Sequence, residues 1–185
     1  MPGPASGTSA LLIVDMINLF DFDGGPALAA AAEPASRAIE RLRRKFHAAG
    51  APVIFANDNF THWRSDFHEL VATCTHPAAP GAAIATRLAP GREDYFVLKP
   101  KHSAFMSTPL PFLLESLGVR RIVLTGIAAD ACVLATAIDG NAQGYAMEVV
   151  RDGVASRTPA LAADALSVLR RSRAAKIVTS ARTRP

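Results

Sequence analysis

The stretch RIVLTGIAADACV (residues 121–133) decides the fold. Ile122, Val123 and Leu124 form an unbroken branched apolar run, the mark of a strand covered on both faces. Thr125 and Gly126 stop it. An alanine-rich pattern follows at once and reads as a helix over 131–142, closed by Gly144. Strand, tight turn and helix in this order form the repeating unit of an α/β protein. Working outward, the same alternation recurs along the chain. Strands are expected over 10–14, 53–56, 95–98, 121–125, 146–150 and 175–178. Helices are expected over 35–49, 110–117, 131–142 and 159–171. Between the second and third strands lie a short helix holding Trp63, Phe67 and Leu70 and one helical turn near 84–88. A Gly-rich loop is expected over 21–26. Such alternation predicts a three-layer α/β fold: a six-stranded, mainly parallel sheet with helices on both faces.

The 185 residues suit a single domain spanning 1–185, with residues 1–8 as a flexible lead-in. Half of the residues are hydrophobic, enough for a full core, so a disordered chain is excluded. The run Leu11 to Val14 is stopped by Asp15, far short of the ~20 apolar residues of a membrane span. No Lys or Arg stands in the first ten residues, so no signal peptide is read, and two Cys make no disulfide framework. These features predict a cytoplasmic protein with reduced thiols. The formal charge of +4 gathers at 41–45 and in the C-terminal stretch from Arg170 to Arg184. No stacking aromatics are interleaved there, so these charges read as solvated helix faces, with no nucleic-acid or membrane partner.

In parallel α/β sheets, ligands bind beyond the carboxyl ends of the strands. Asp15, Asp58, Lys99 and the segment from Gly126 to Cys132 all fall at such ends. Cys132 stands where a helix begins, and helix starts favour thiolate. The turn's backbone N–H groups can face an oxyanion. On the residues alone, Cys132 reads either as a nucleophile or as an inert buried thiol. Asp15 reads as a base or as a satisfied loop carboxylate, and Lys99 as a site cation or a surface lysine. Cys74 lies in a loop-like segment and reads as inert.

The ordered set of pieces resembles the isochorismatase-like cysteine hydrolases. Those pieces are LIVDMIN (12–18), PVIFAND (52–58), KPKHSAF (99–105), LTGIAADACV (124–133) and VVRD (149–152). The resemblance covers about residues 10–170. It implies a six-stranded parallel sheet and a catalytic Asp15–Lys99–Cys132 triad. Lys101 is a nearby rival to Lys99, and the spacing to Ser103, Ala104 and Phe105 selects Lys99. The resemblance also implies a cis peptide at Ile127–Ala128, an oxyanion hole from the N–H groups of Ala128 and Cys132, and frequent homo-oligomers. Family pocket aromatics match Phe20, Trp63 and Phe105, for which a packing role is equally open. Nicotinamidases of this family carry a metal-binding Asp-x-His where this chain has Asp58-Asn59-Phe60. No catalytic metal or other cofactor is therefore expected. The vinyl-ether hydrolases of the family use no cysteine nucleophile. Cys132 thus points to a small-molecule amide, imide or ureido substrate. His62 and Arg64 are candidates to meet an anionic substrate group, and Arg64 is also open to a salt bridge with Asp66 or Glu69.

Overall fold

A computed structural model describes residues 8–59 and 66–185. The lead-in over residues 1–7 and the readings of His62, Trp63 and Arg64 lie outside the described residues. Thr8, read as the end of the lead-in, opens the first strand instead. The strands are β1 (Thr8–Val14), β2 (Val53–Asp58), β3 (Tyr95–Lys99), β4 (Val119–Ile127), β5 (Ala146–Ala155) and β6 (Lys176–Val178). The helices are α1 (Gly25–Ala48), α2 (Phe67–Thr75), α3 (Ala82–Arg87), α4 (Leu110–Ser116), α5 (Leu134–Ala142) and α6 (Pro159–Arg171). One sheet takes all six strands in the order β3-β2-β1-β4-β5-β6. Every neighbouring pair is parallel.

The alternation of side chains along a strand sorts the core into two layers. Leu11 and Ile13 of β1 face α1, α2 and α3. Ala10, Leu12 and Val14 face the opposite way, toward α4, α5 and α6. β1 is therefore buried on both faces, which is why it reads as a continuous apolar run. On α1, Leu28, Ala32, Ile39, Leu42 and Phe46 fall on one buried stripe. Burying each large member stabilises the fold by about 1.5–3 kcal/mol.

Three departures from the sequence expectation change how an element is built. First, α1 begins at Gly25, ten residues earlier than expected, and carries Pro34 inside it. Proline there removes one backbone hydrogen bond. The buried stripe on both sides of Pro34 keeps the helix continuous, and Pro26 sits in its first turn, where proline is tolerated. Secondly, β5 does not stop at Val150. It runs on to Ala155 through the charged residues Arg151 and Asp152, with a register shift opposite β4. Thirdly, Cys74 lies in α2, fully buried, rather than in a loop. Asp66 caps that helix by accepting the Glu69 N–H at 2.9 Å. Among the described residues, no helix is long and apolar enough to cross a membrane.

Gly126, near the end of β4, sets how closely two strand ends approach. Its φ is +116°, and a Cβ added there would lie 2.1 Å from the Val14 carbonyl oxygen. No side chain fits at that distance, so only glycine brings the last residues of β4 against the end of β1.

Candidate active site

β1 ends at Val14, and the next residue, Asp15, turns with φ 53°. Its N–H still donates to Ala56 O at 2.9 Å, so the carboxylate is anchored to β2. Asp15 Oδ1 accepts the Asp58 N–H at 2.7 Å. Asn57 Nδ2 donates to Ile17 O at 2.8 Å, and Asn18 Oδ1 accepts the Phe20 N–H at 2.8 Å. These bonds hold the loop after β1 against the end of β2.

Lys99 stands at the end of β3, in register with Asp58. Its side chain is 0% exposed, and Nζ reaches Asp15 Oδ2 at 2.8 Å. The same Nζ donates to Lys101 O at 3.1 Å and lies 3.4 Å from Cys132 Sγ. The three ammonium hydrogens thus have three partners. Lys101, the rival of Lys99, is exposed and contributes its carbonyl to this arrangement.

β4 runs into the Ile127–Ala128 peptide, which is cis. The chain then winds through a single wide turn, Ala129–Val133, before α5 begins at Leu134. In that turn the Val133 N–H donates to Ala128 O at 3.1 Å, a bond over five residues. Cys132 therefore lies in a π turn ahead of the α-helix, and the helix expected from Ala131 begins three residues later. Asp130 closes the turn from outside: its carboxylate accepts the Ser156 hydroxyl at 2.5 Å.

Asp15, Ala128 and Cys132 line one open cavity of about 380 Å³, with Phe22, His102 and Arg157 around them. Phe20 and Phe105 do not line it. Phe20 is 1% exposed and packs in the α1-side core. Phe105 packs in the opposite core, 5.7 Å from Tyr145 between ring centres. Phe22 supplies the cavity's aromatic face instead, two residues beyond the positive-φ turn at Phe20. A wider cleft of about 530 Å³ lies along β6, walled by Arg151, Arg170, Lys176 and Arg182. It holds no thiol, and its one carboxylate, Glu148, is paired with Arg121 and Lys176, so the smaller cavity at the strand ends is the candidate site.

The electrostatics of the three side chains follow from burial. Asp15 is raised above the ordinary carboxylate value because burial penalises its charge, and the Lys99 ammonium and Cys132 thiol only partly offset this. Burial pushes Lys99 down, but the charges of Asp15 and Cys132 outweigh it, and the ammonium ends above its ordinary value. Cys132 is pushed up to about 12, first by burial and then by the nearby Asp15 carboxylate, against the pull of Lys99. This runs against the expectation that the helix start favours thiolate at rest: burial and the Asp15 carboxylate push the thiol the other way. Among the described residues, no three His, Cys, Asp or Glu side chains gather into a set that holds a metal.

His102 and Arg157 went unnoticed in the sequence. His102 is a lone histidine outside any ligand spacing. Arg157 lies two residues past the end of β5, a relation visible only once that strand is known to reach Ala155.

A parallel six-stranded sheet with a thiol, a carboxylate and an ammonium at its strand ends defines a hydrolase of the isochorismatase-like class. The isochorismatase domain model matches residues 9–182, and the chain belongs to that family. It is 42% identical over 149 residues to the isochorismatase family protein YaaI of Bacillus subtilis, covering 80% of this chain and 81% of that one. It is 30% identical over 179 residues to the ureidoacrylate amidohydrolase RutB of an Enterobacter species, covering 83% of this chain and 78% of RutB. Among solved structures, N-carbamoylsarcosine amidase from Thermoplasma acidophilum superposes with a TM-score of 0.72 at 25% identity, over 96% of this chain and 99% of that one.

Proposed function

We propose that this protein is a metal-independent cysteine amidohydrolase that cleaves a C–N bond of a small amide, imide or ureido substrate through a thioester. The observation that carries this reading is Lys99 Nζ lying between Asp15 Oδ2 at 2.8 Å and Cys132 Sγ at 3.4 Å. Base, cation and nucleophile thereby meet at one cavity.

In this reading Asp15 takes the Cys132 proton as sulfur attacks the carbonyl carbon. A carboxyl raised by burial is a stronger base than an exposed one, and Lys99 stabilises the thiolate as it forms. Because the thiol is held protonated at rest, the thiolate arises together with attack. The N–H groups of Ala128 and Cys132 receive the developing oxyanion. Asp15 returns the proton to the leaving nitrogen, and water releases the acyl group. Phe60 stands where the metal-binding members of the family have His, and this supports the metal-free form.

Arg157 faces the cavity and has no carboxylate partner among the described residues. That free cation supports a substrate bearing a carboxylate, the chemistry of an N-carbamoyl or ureido acid. The relatives named for amide and ureido chemistry favour the same class.

The test is a panel of small amides and N-carbamoyl amino acids. Wild type is expected to hydrolyse at least one. Cys132→Ala should form no covalent adduct, and Asp15→Asn should lower turnover by a factor on the order of 10² or more. Near-wild-type turnover in Asp15→Asn would remove the base. A wild type inert toward the whole panel would favour a non-catalytic binding protein.

A further inference from the structure

His102 lies on the solvent side of the nucleophile. Its Nδ1 is 3.6 Å from Cys132 Sγ, within reach of a hydrogen bond to sulfur. Among the described residues, Cys132 is the ring's one side-chain partner. The ring is exposed and lines the cavity, whereas Asp15 is 5% exposed. The Asp15 oxygens are turned inward, one toward the Lys99 ammonium and the other toward the Asp58 N–H.

The backbone fixes His102 from both sides. One residue earlier, Lys101 O accepts from Lys99 Nζ at 3.1 Å. Two residues later, the Ala104 N–H donates to Thr136 Oγ1 of α5 at 3.0 Å. The imidazole is thus carried on a short span tied to the triad lysine and to the helix that follows the nucleophile. An exposed side chain on a loose loop has no such support.

These positions leave the two halves of a thioester mechanism unequally served. Attack on the substrate is served from the buried side by Asp15. Release of the acyl group requires a water that enters from solvent and reaches the carbon bonded to Sγ. On the open side of Sγ stands His102, with Nδ1 3.6 Å away.

We propose that His102 is a catalytic residue of this site, the general base that activates the hydrolytic water. The proposal rests on the Cys132 nucleophile of the reading above. In this step the neutral imidazole nitrogen takes a proton from water as the water oxygen bonds to the thioester carbonyl carbon. The tetrahedral intermediate then collapses, the C–S bond breaks, and the electron pair returns to Sγ. The imidazolium gives its proton back to sulfur, restoring thiol and neutral ring. Atoms and charge balance to acyl–S plus water giving carboxylic acid plus thiol.

p-Nitrophenyl acetate tests this step without knowledge of the natural substrate, because its leaving group departs without protonation. In wild type, one equivalent of nitrophenolate should be released as Cys132 is acetylated, followed by steady turnover. His102→Gln should keep the first equivalent and slow the steady phase by a factor on the order of 10² or more, so that the acetyl adduct accumulates on Cys132. In His102→Ala, added imidazole should restore the steady phase, which a packing role would not allow. Melting temperatures close to wild type in both variants would confirm that they fold. A steady phase in His102→Gln equal to wild type, with no accumulated adduct, would overturn the role of His102 alone. Absence of any Cys132 adduct in wild type would remove the nucleophile itself, and His102 with it.

Discussion

Replacing Lys99 by methionine isolates the electrostatics of the buried site. The ammonium lies 2.8 Å from Asp15 Oδ2 with its side chain wholly buried. At an effective dielectric of about 20, two unit charges at that distance attract by about 6 kcal/mol. Burying lysine costs part of this, so the pair itself contributes less. Removing one partner is different, because it strands the other charge: Lys99→Met should destabilise the protein by about 3–5 kcal/mol. The double variant Asp15→Asn, Lys99→Met should lose less than Lys99→Met alone, since no buried charge is left unpaired. The pH dependence has a definite sign. Asp15 is already raised by burial, and loss of Lys99 raises it further. A carboxyl raised in the folded state favours folding at acid pH, and that advantage disappears as pH rises from the unfolded value toward the folded one. The deficit of Lys99→Met should therefore be smaller at about pH 4, near the unfolded value, than at about pH 8. Urea unfolding followed by circular dichroism at both pH values measures it. A Lys99→Met chain as stable as wild type at the higher pH would refute the argument, as would a double variant no more stable than the single one.

Iodoacetamide should label Cys132 before Cys74: Cys74 is 0% exposed, and its thiol is itself pushed up to about 11 by burial. The Cys132 rate should keep climbing through alkaline pH, because burial and the Asp15 carboxylate push its thiol up to about 12, and peptide mapping that shows a plateau at neutral pH would contradict that effect. Activity toward the amide panel should survive EDTA, and loss that zinc, iron or manganese restores would overturn the metal-free reading. Light scattering at micromolar concentration should give a mass above that of one chain, since a second copy is the partner the Ala- and Leu-rich helices and the family suggest; a single-chain mass would count against this.

The central strands β1, β2 and β4 were legible because parallel strands buried on both faces leave unbroken apolar runs; Asp15 ends such a run, and Lys99 ends the shorter apolar run of the edge strand β3, whose Tyr95 and Phe96 are exposed. The start of α1 was not. Gly24, Gly25, Pro26 and Pro34 carry the residue types of turns, and only packing against the sheet shows that the helix passes through Pro34. The extension of β5 was hidden for a similar reason: Arg151 and Asp152 carry charges a buried strand rarely has, and the register shift lets them point outward. Phe20 and Phe105 show that nearness to a catalytic residue in sequence does not give direction. The positive φ at Phe20 turns its ring into the core and leaves Phe22 to face the cavity. His102 had a usable signal, three residues after a lysine that ends a strand, but a lone histidine carries no spacing to test.

Gly126 sets a limit on how this chain can change. Every other amino acid carries at least a Cβ, which would lie 2.1 Å from the Val14 carbonyl oxygen. The backbone at φ +116° is strained for any of them. Any single-codon change at this position forces β4 away from β1, separating the turn that carries Cys132 from the residue after Val14, which is Asp15. Residues along the outer faces of α4 or α6 can drift one at a time with little effect on the distance between nucleophile and base. Position 126 has no neutral neighbour in sequence space. A saturation library there should return glycine alone among its active clones, whatever substrate is used for selection.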